Sequence, residues 1–203
     1  MSTTLQQGTL KIPVDKIGFD IDGVVADTME AFLRLAGNDY GINSISVGDI
    51  TEFQVEDCLD MESSLIEEIF NRLLYEPVES GLAPMRNCVC VLQEFARTAP
   101  LTFITARPDK EPIGRWLEMT LGSQTYKKTR LVATGEHDGK AEYIKEMGLR
   151  YFVDDRADTC LNLTREEVVP IVYDQPWNRG KHSLFTVTDW LAIRSICCEG
   201  WNP

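Results

Sequence analysis

The sequence predicts an α/β domain: a doubly wound, mostly parallel sheet with helices on both faces and a small helical piece inserted after the first strand. Three observations predict it. Short apolar runs alternate with segments of helical period. Nearly every run ends in polar residues, as strands do where an open sheet gathers a site at its carboxyl edge. Residues 26–84 carry helical period but no strand.

The first strand is read at Lys16 to Asp20. The helix after it places Met29, Phe32, Leu33 and Ala36 at helical spacing and ends near Gly37 to Gly41. Residues 42–60 are irregular and acidic. A second helix puts Leu65, Ile66, Ile69, Phe70, Leu73 and Leu74 on one face, with Ser64 and Glu67 in the pattern of a capping box and Pro77 as its stop. From Pro84 the alternation returns with a helix through Leu92, Phe95 and Ala96, then a strand from Leu101 to Thr105. The next helix starts at Pro112, a residue suited to the first turn, and buries Ile113, Trp116, Leu117 and Leu121. A short third strand at Leu131 to Ala133, a helix from Lys140 to Met147 closed by Gly148, and strands at Tyr151 to Val153 and Val168 to Val172 complete the pattern.

A chain of 203 residues holds one well-buried core with a small insertion, and two full domains would be cramped. A net charge of -12 argues against a nucleic-acid polymer or an anionic membrane as partner, because both attract Lys and Arg. A small phosphorylated metabolite stays compatible if the site carries its own cations. Met1 to Leu10 is polar, without a basic flank leading into an apolar stretch, and no apolar run reaches membrane-spanning length, which points to the cytoplasm. The six cysteines lack zinc spacing and read as reduced, packed thiols, while His137 and His182 read as surface residues.

Four groups stand at strand or helix ends: Asp20 with Asp22, Thr105, Lys140, and Asp154 with Asp155. In an extended strand, residues i and i+2 face the same side, so Asp20 and Asp22 are placed to meet one ligand. A metal site, an acid/base pair, or a nucleophile beside a proton donor are the uses such a pair has. Each group alone has an ordinary reading as a loop, a solvated lysine or a capped turn. In this order, each at a boundary between strand and helix, they form a specific set.

That set resembles the haloacid dehalogenase superfamily of hydrolases, whose four motifs all find counterparts between Asp20 and Asp155. The resemblance implies a Rossmann-like core from residues 1–25 and 85–203 with a helical cap at 26–84 that closes over the site. It implies that Asp20 attacks a phosphoryl group and that Asp22 protonates the leaving oxygen and then activates water. Asp at position 22 points to phosphoryl transfer, since the relatives that break carbon–halogen bonds lack an acid there. A carboxylate meeting a phosphate dianion is repelled by roughly 4 kcal/mol per charge pair at about 4 Å with an effective dielectric near 20, so cations have to fill the site. By resemblance magnesium is held by the Asp20 carboxylate, the Asp22 main-chain carbonyl and Asp155, while Asp154 holds Lys140 or a metal-bound water. Lys140 neutralises the nucleophile, and Thr105 orients phosphoryl oxygens.

The text around the motifs narrows the likeness. Phe19 to Thr28, Asp49 to Phe53, Thr105 to Pro108, Val153 to Arg156 and Tyr173 to Asn178 are similar to the 5'(3')-deoxyribonucleotidase family and its bacterial relatives. This implies a phosphomonoesterase acting on (deoxy)nucleoside monophosphates, with Phe53 stacking on a base and Arg107 and Arg156 meeting phosphate or sugar oxygens. The ordinary alternatives are that Phe53 packs cap to core and that Arg156 pairs with a neighbouring acid. Two other functions compete: a phosphatase for a sugar phosphate or another small metabolite, and a non-catalytic binding protein that keeps the fold. The complete motif set argues against the latter.

Overall fold

The chain builds its sheet by starting in the middle. In order, the elements are β1 (Ile17–Phe19), α1 (Thr28–Tyr40), α2 (Ser63–Tyr75), α3 (Cys88–Phe95), β2 (Leu101–Thr105), α4 (Lys110–Leu121), the single turn α5 (Ser123–Tyr126), β3 (Thr129–Ala133), α6 (Lys140–Glu146), β4 (Tyr151–Asp154), α7 (Ala157–Leu163), β5 (Val169–Tyr173), β6 (Thr186–Val187) and α8 (Trp190–Cys198). The computed structural model describes residues 11–198; Met1 to Leu10, whose polar character is noted above, lies outside the described residues. The six strands run in the order β3-β2-β1-β4-β5-β6 with every pairing parallel. After β1 the chain winds outward to β3, then returns to lay β4 on the other side of β1. The switch of direction therefore falls at β1, and in open sheets ligands bind in the crevice beyond such a point.

Strand alternation sorts the core. Phe19, Phe103, Val153 and Ile171 join the cluster that includes Leu92 and Phe95 of α3, Ile113 and Leu117 of α4, and Trp190 and Ile193 of α8. Ile104 and Phe152, one residue out of phase, join Ile144 of α6 and Leu163 of α7 in a second cluster. Both faces of the sheet are covered, as parallel sheets require.

Residues 26–84 leave and rejoin the sheet at adjacent points. Ala26 bridges Pro84 in antiparallel fashion, the Asp27 N–H donates to the Ala83 carbonyl at 2.9 Å, and the Met85 N–H donates to Val25 at 2.8 Å. Within this excursion α1 and α2 pack together through stacked Phe32 and Phe70 rings 4.9 Å apart, with Ile66, Ile69 and Leu73 buried. Helix α1 ends where Gly41 takes φ +74°, a left-handed turn open to glycine, and Ile42 N–H caps the Ala36 carbonyl.

Several local expectations need correction. Helix α2 begins two residues earlier than the capping-box pattern requires: Glu62 is the N-cap and makes no side-chain cap, so Ser64 already lies within the first turn. Pro112 stands third in α4, whose cap is the Asp109 carboxylate accepting from Glu111 N–H at 2.9 Å. Helices α7 and α8 and strand β6 are additions to the elements read from sequence. The seven residues of α7 are too few for a period to show, α8 is apolar nearly all round, and β6 has two residues. All six cysteines are free thiols.

Trp190 ties α8 to the start of the site. Its indole is fully buried, packs 5.2 Å from the Phe19 ring, and donates to the Val24 carbonyl at 2.8 Å. Trp190→Ala is expected to destabilise the fold by about 3–5 kcal/mol, read as a fall in the urea unfolding midpoint at unchanged slope.

Candidate active site

The carboxyl ends of β1, β2 and β4 and the start of α6 meet at the switch point. Asp20 follows β1, and its N–H donates to the Val153 carbonyl at 2.9 Å, carrying the β1–β4 ladder one step past the strand. The chain then folds tightly: the Ile21 carbonyl accepts from Val25 and Ala26 N–H groups at 2.8 Å each, and Gly23 takes φ +73°. This turn is packed against β4, since a Cβ on Gly23 would lie 2.2 Å from Asp155 Oδ2. Gly23→Ala is therefore expected to lose about 2 kcal/mol or more of stability from strained φ and overpacking together, measured by equilibrium unfolding.

Lys140 is the cation at the centre. It is almost wholly buried; its Nζ donates to Asp154 Oδ2 at 2.7 Å and lies 3.0 Å from Asp20 Oδ1. Burial pulls its pKa down, but Asp154 and Asp20 outweigh that and hold it above the usual ammonium range. The contact to Asp20 lacks the alignment of a hydrogen bond, so Oδ1 of Asp20 is a buried oxygen without a donor. Burial pushes the Asp20 carboxyl up to about 7, against the pull of Lys140. Asp155 is also pushed well up, by burial and then by the charges of Asp154 and Asp20.

Asp20, Asp154 and Asp155 each bring a carboxylate oxygen within 4.8 Å of the others. The oxygens of Asp154 are already committed, Oδ2 to Lys140 and Oδ1 to the Arg156 N–H at 2.8 Å. Asp155 Oδ2 accepts from Trp177 Nε1 at 2.8 Å. This hard, all-oxygen donor set around an orphaned carboxylate oxygen fits a divalent cation of the magnesium type.

Asp22 is handled separately. Arg107 grips it with two bonds, Nε to Oδ2 at 2.9 Å and Nη2 to Oδ1 at 2.7 Å, and the Thr28 hydroxyl donates to Oδ1 at 2.6 Å. Burial works to raise this carboxyl, but Arg107 and then Thr28 prevail and hold it below the ordinary value, with 32% of the side chain still exposed. Thr105 is buried at the end of β2, where its Oγ1 accepts from the Arg107 N–H at 3.3 Å.

A cavity of about 300 Å³ opens in front of these groups, between the sheet edge and residues 26–84. Asp20, Asp22, Thr105 and Asp155 line its floor, and Met29, Val55, Phe70, Leu73 and Leu74 supply an apolar wall. Phe53 lies across it: Arg156 sits over its ring face at 5.1 Å and His137 meets its edge at 5.2 Å. Arg156 also stands 3.5 Å from Asp138 and 3.6 Å from Asp158, with Nε buried and unpartnered. Both ordinary alternatives weighed for Phe53 and Arg156 are thus present as contacts. The donors of Arg107 are turned to Asp22 and to the carbonyls of Leu73 and Leu74.

Two parts of the site escape sequence reasoning. His137, read as a surface residue, is exposed yet lines the cavity; desolvation, then Lys140 and Arg156, lower its pKa. The segment after β5 braces the floor: Gln175 Nε2 donates to the Gly23 carbonyl at 2.7 Å, and Asn178 Nδ2 donates to Asp155 and Tyr173 carbonyls at 2.7 and 2.8 Å. The signal was a run of amide and indole donors directly behind a strand, but nothing local says what they reach.

The backbone has clear counterparts among solved structures. It matches a haloacid dehalogenase-like family hydrolase from Streptococcus pneumoniae with TM-score 0.59 at 13% identity, over 87% of this chain and 95% of that one. A haloacid dehalogenase-superfamily hydrolase of subfamily IA from Geobacter sulfurreducens matches with TM-score 0.55 at 15% identity, over 95% and 99%. CbbY from Rhodobacter sphaeroides, solved in complex with phosphate, matches with TM-score 0.54 at 13% identity, over 87% and 95%. No curated protein sequence matches the chain. The fold is haloacid dehalogenase-like, and the family match makes the chain a phosphatase. Residues 13–198 match the model of the 5' nucleotidase, deoxy (pyrimidine), cytosolic type C protein family, and the chain belongs to that family.

The raised Asp20 carboxyl has a measurable consequence. Its proton is held more tightly in the folded chain, near pH 7, than at the ordinary value of 3.8. Its contribution to stability is therefore complete below about pH 4 and is lost as pH rises through about 7. Asp20→Asn keeps the side chain neutral, so in chelator the variant is expected to gain on the wild type across that window and to match it at acid pH. Urea unfolding midpoints over pH 4 to 8 measure the gap; no gap at pH 8 would count against the charge argument.

Proposed function

We propose that the protein is a magnesium-dependent phosphomonoesterase that works through an aspartyl phosphate at Asp20, with (deoxy)nucleoside monophosphates as substrates. The observation that carries the reading is the convergence of Asp20, Thr105 and Asp155 on one cavity floor, with Lys140 buried behind Asp20 and 3.0 Å from its Oδ1, and a second acid, Asp22, held apart on its own cation. In the first step an Asp20 carboxylate oxygen bonds to phosphorus, the bond from phosphorus to the leaving oxygen breaks, and Asp22 gives that oxygen a proton. In the second, water gives its proton to Asp22, its oxygen bonds to phosphorus, and the Asp20 acyl phosphate breaks to release inorganic phosphate.

Asp22 rests as a carboxylate, the form that accepts a proton from water. The arriving phosphoryl dianion sets negative charge beside it and so favours its protonation for the first step. Lys140 lowers the repulsion between Asp20 and the phosphoryl oxygens, and the Thr105 hydroxyl offers those oxygens a donor. The magnesium ion would be held by the Asp20 carboxylate, the Asp22 main-chain carbonyl and Asp155. When bound it supplies positive charge that offsets the crowding of acids and polarises the phosphoryl group. Asp154, bound to Lys140 and Arg156 N–H, serves to position the lysine.

Residues 26–84 act as the cap, and their apolar wall supports a leaving group with a flat or hydrophobic face. Phe53 and Arg156 would meet it, the ring by stacking and the guanidinium at a sugar or phosphate oxygen. Membership of a 5' nucleotidase family supports the nucleotide over a sugar phosphate. No helix among the described residues is long and apolar enough to cross a membrane, and a cytoplasmic setting is part of the proposal.

Purified protein with magnesium is expected to release phosphate from deoxynucleoside monophosphates faster than from sugar phosphates, and to stop on addition of chelator. Asp20→Asn should lose on the order of 10³-fold or more in kcat, and Asp22→Asn about 10²–10⁴-fold. Absence of turnover on any phosphomonoester would overturn the reading; preference for sugar phosphates would replace its substrate.

A further inference from the structure

Arg107 is the least exposed arginine near the cavity, with 1% of its side chain accessible, and it faces two ways. One edge holds both oxygens of Asp22. From the other, Nη1 donates to the carbonyls of Leu73 and Leu74 at 2.9 and 3.1 Å. Those carbonyls lie in the last turn of α2, which ends at Tyr75, where a helix leaves acceptors without intrahelical partners and its dipole favours a cation. The residue itself is anchored in the sheet domain, with its N–H on Thr105 Oγ1 and its carbonyl accepting from Gly135 N–H at 3.2 Å. Asp22 is held from the other insertion helix too, through Thr28 in the first turn of α1.

A side chain recruited to bind substrate would keep donors aimed at the cavity. Arg107 spends four hydrogen bonds on joining a carboxylate of the sheet domain to the end of a helix in the insertion. We propose that Arg107 is a positioning residue that makes the orientation of the Asp22 carboxylate depend on the seating of α2, so that acid/base chemistry is available only when the insertion is docked. The inference rests on the reading of Asp22 as the acid/base. If α2 lifts away, the guanidinium loses its carbonyl partners and Asp22 loses a fixed clamp. A lysine in the same place keeps the charge but has no planar fork able to serve both sides at once.

The test is a double-mutant cycle with hydrogen exchange. Arg107→Lys is expected to lower kcat about tenfold or more with KM nearly unchanged, and to add no further loss in the Asp22→Asn background, because both changes remove the same function. Additive losses, or a rise in KM alone, would overturn the proposal in favour of a substrate-binding arginine. Amides at the end of α2 are expected to exchange about tenfold faster in Arg107→Lys while those of α3 stay as in the wild type. Unchanged exchange in α2 would also overturn it. Full activity in Asp22→Asn would instead overturn the acid/base reading, and the exchange measurement would still decide whether Arg107 couples the helix to the carboxylate.

Discussion

Three carboxylates buried at the end of one sheet around a single ammonium group set the terms for the rest of this molecule. Asp20, Asp154 and Asp155 are all nearly inaccessible, and Lys140 is the one buried cation among them. Removing a carboxylate from water costs several kcal/mol unless charge and hydrogen bonds replace what solvent gave. The surrounding structure supplies those replacements one oxygen at a time: Lys140 and a main-chain N–H for Asp154, an indole N–H for Asp155. Asp20 Oδ1 has the Lys140 ammonium 3.0 Å away but no aligned donor.

The two acids of the first motif are separated by their partners more than by distance along the chain. Asp20 faces buried lysine and two other acids, and its proton affinity rises; Asp22 faces an arginine and a threonine, and its affinity falls. Neighbouring carboxylates driven to opposite protonation tendencies are the mark of a site with divided labour. The cavity above them is walled by residues from the insertion, so the same helices that line the cavity also hold Asp22, through Thr28 and Arg107.

Much of this architecture is legible in the sequence because it rests on local rules. The apolar runs ending in acids gave the strands, and the position of each polar end gave the floor of the site. The list of partners is not legible. The resemblance implies that Arg107 is a substrate ligand, yet its bonds go to Asp22 and to a helix more than thirty residues upstream, and only tertiary packing decides that. His137 sits in a polar loop with no period, and its contact with Phe53 depends on how the insertion folds over the sheet. Ser64 and Glu67 satisfy the capping pattern, but the helix begins earlier because the Glu62 carbonyl accepts from both Leu65 and Ile66 N–H groups. Short elements such as α7 and β6 give too few residues for any period to register.

The bond from Trp190 to the Val24 carbonyl joins the last helix to the turn that follows Asp20. Because β1 also pairs with β4 and rests its Phe19 against that same indole, residues early in this sequence depend on residues made long after them. Domains generally form as units while the chain emerges from the ribosome. Here the strand that leads into Asp20 stays without its final partners until α8 is out. A nascent chain would therefore carry Asp20 and its neighbours well before their arrangement is complete.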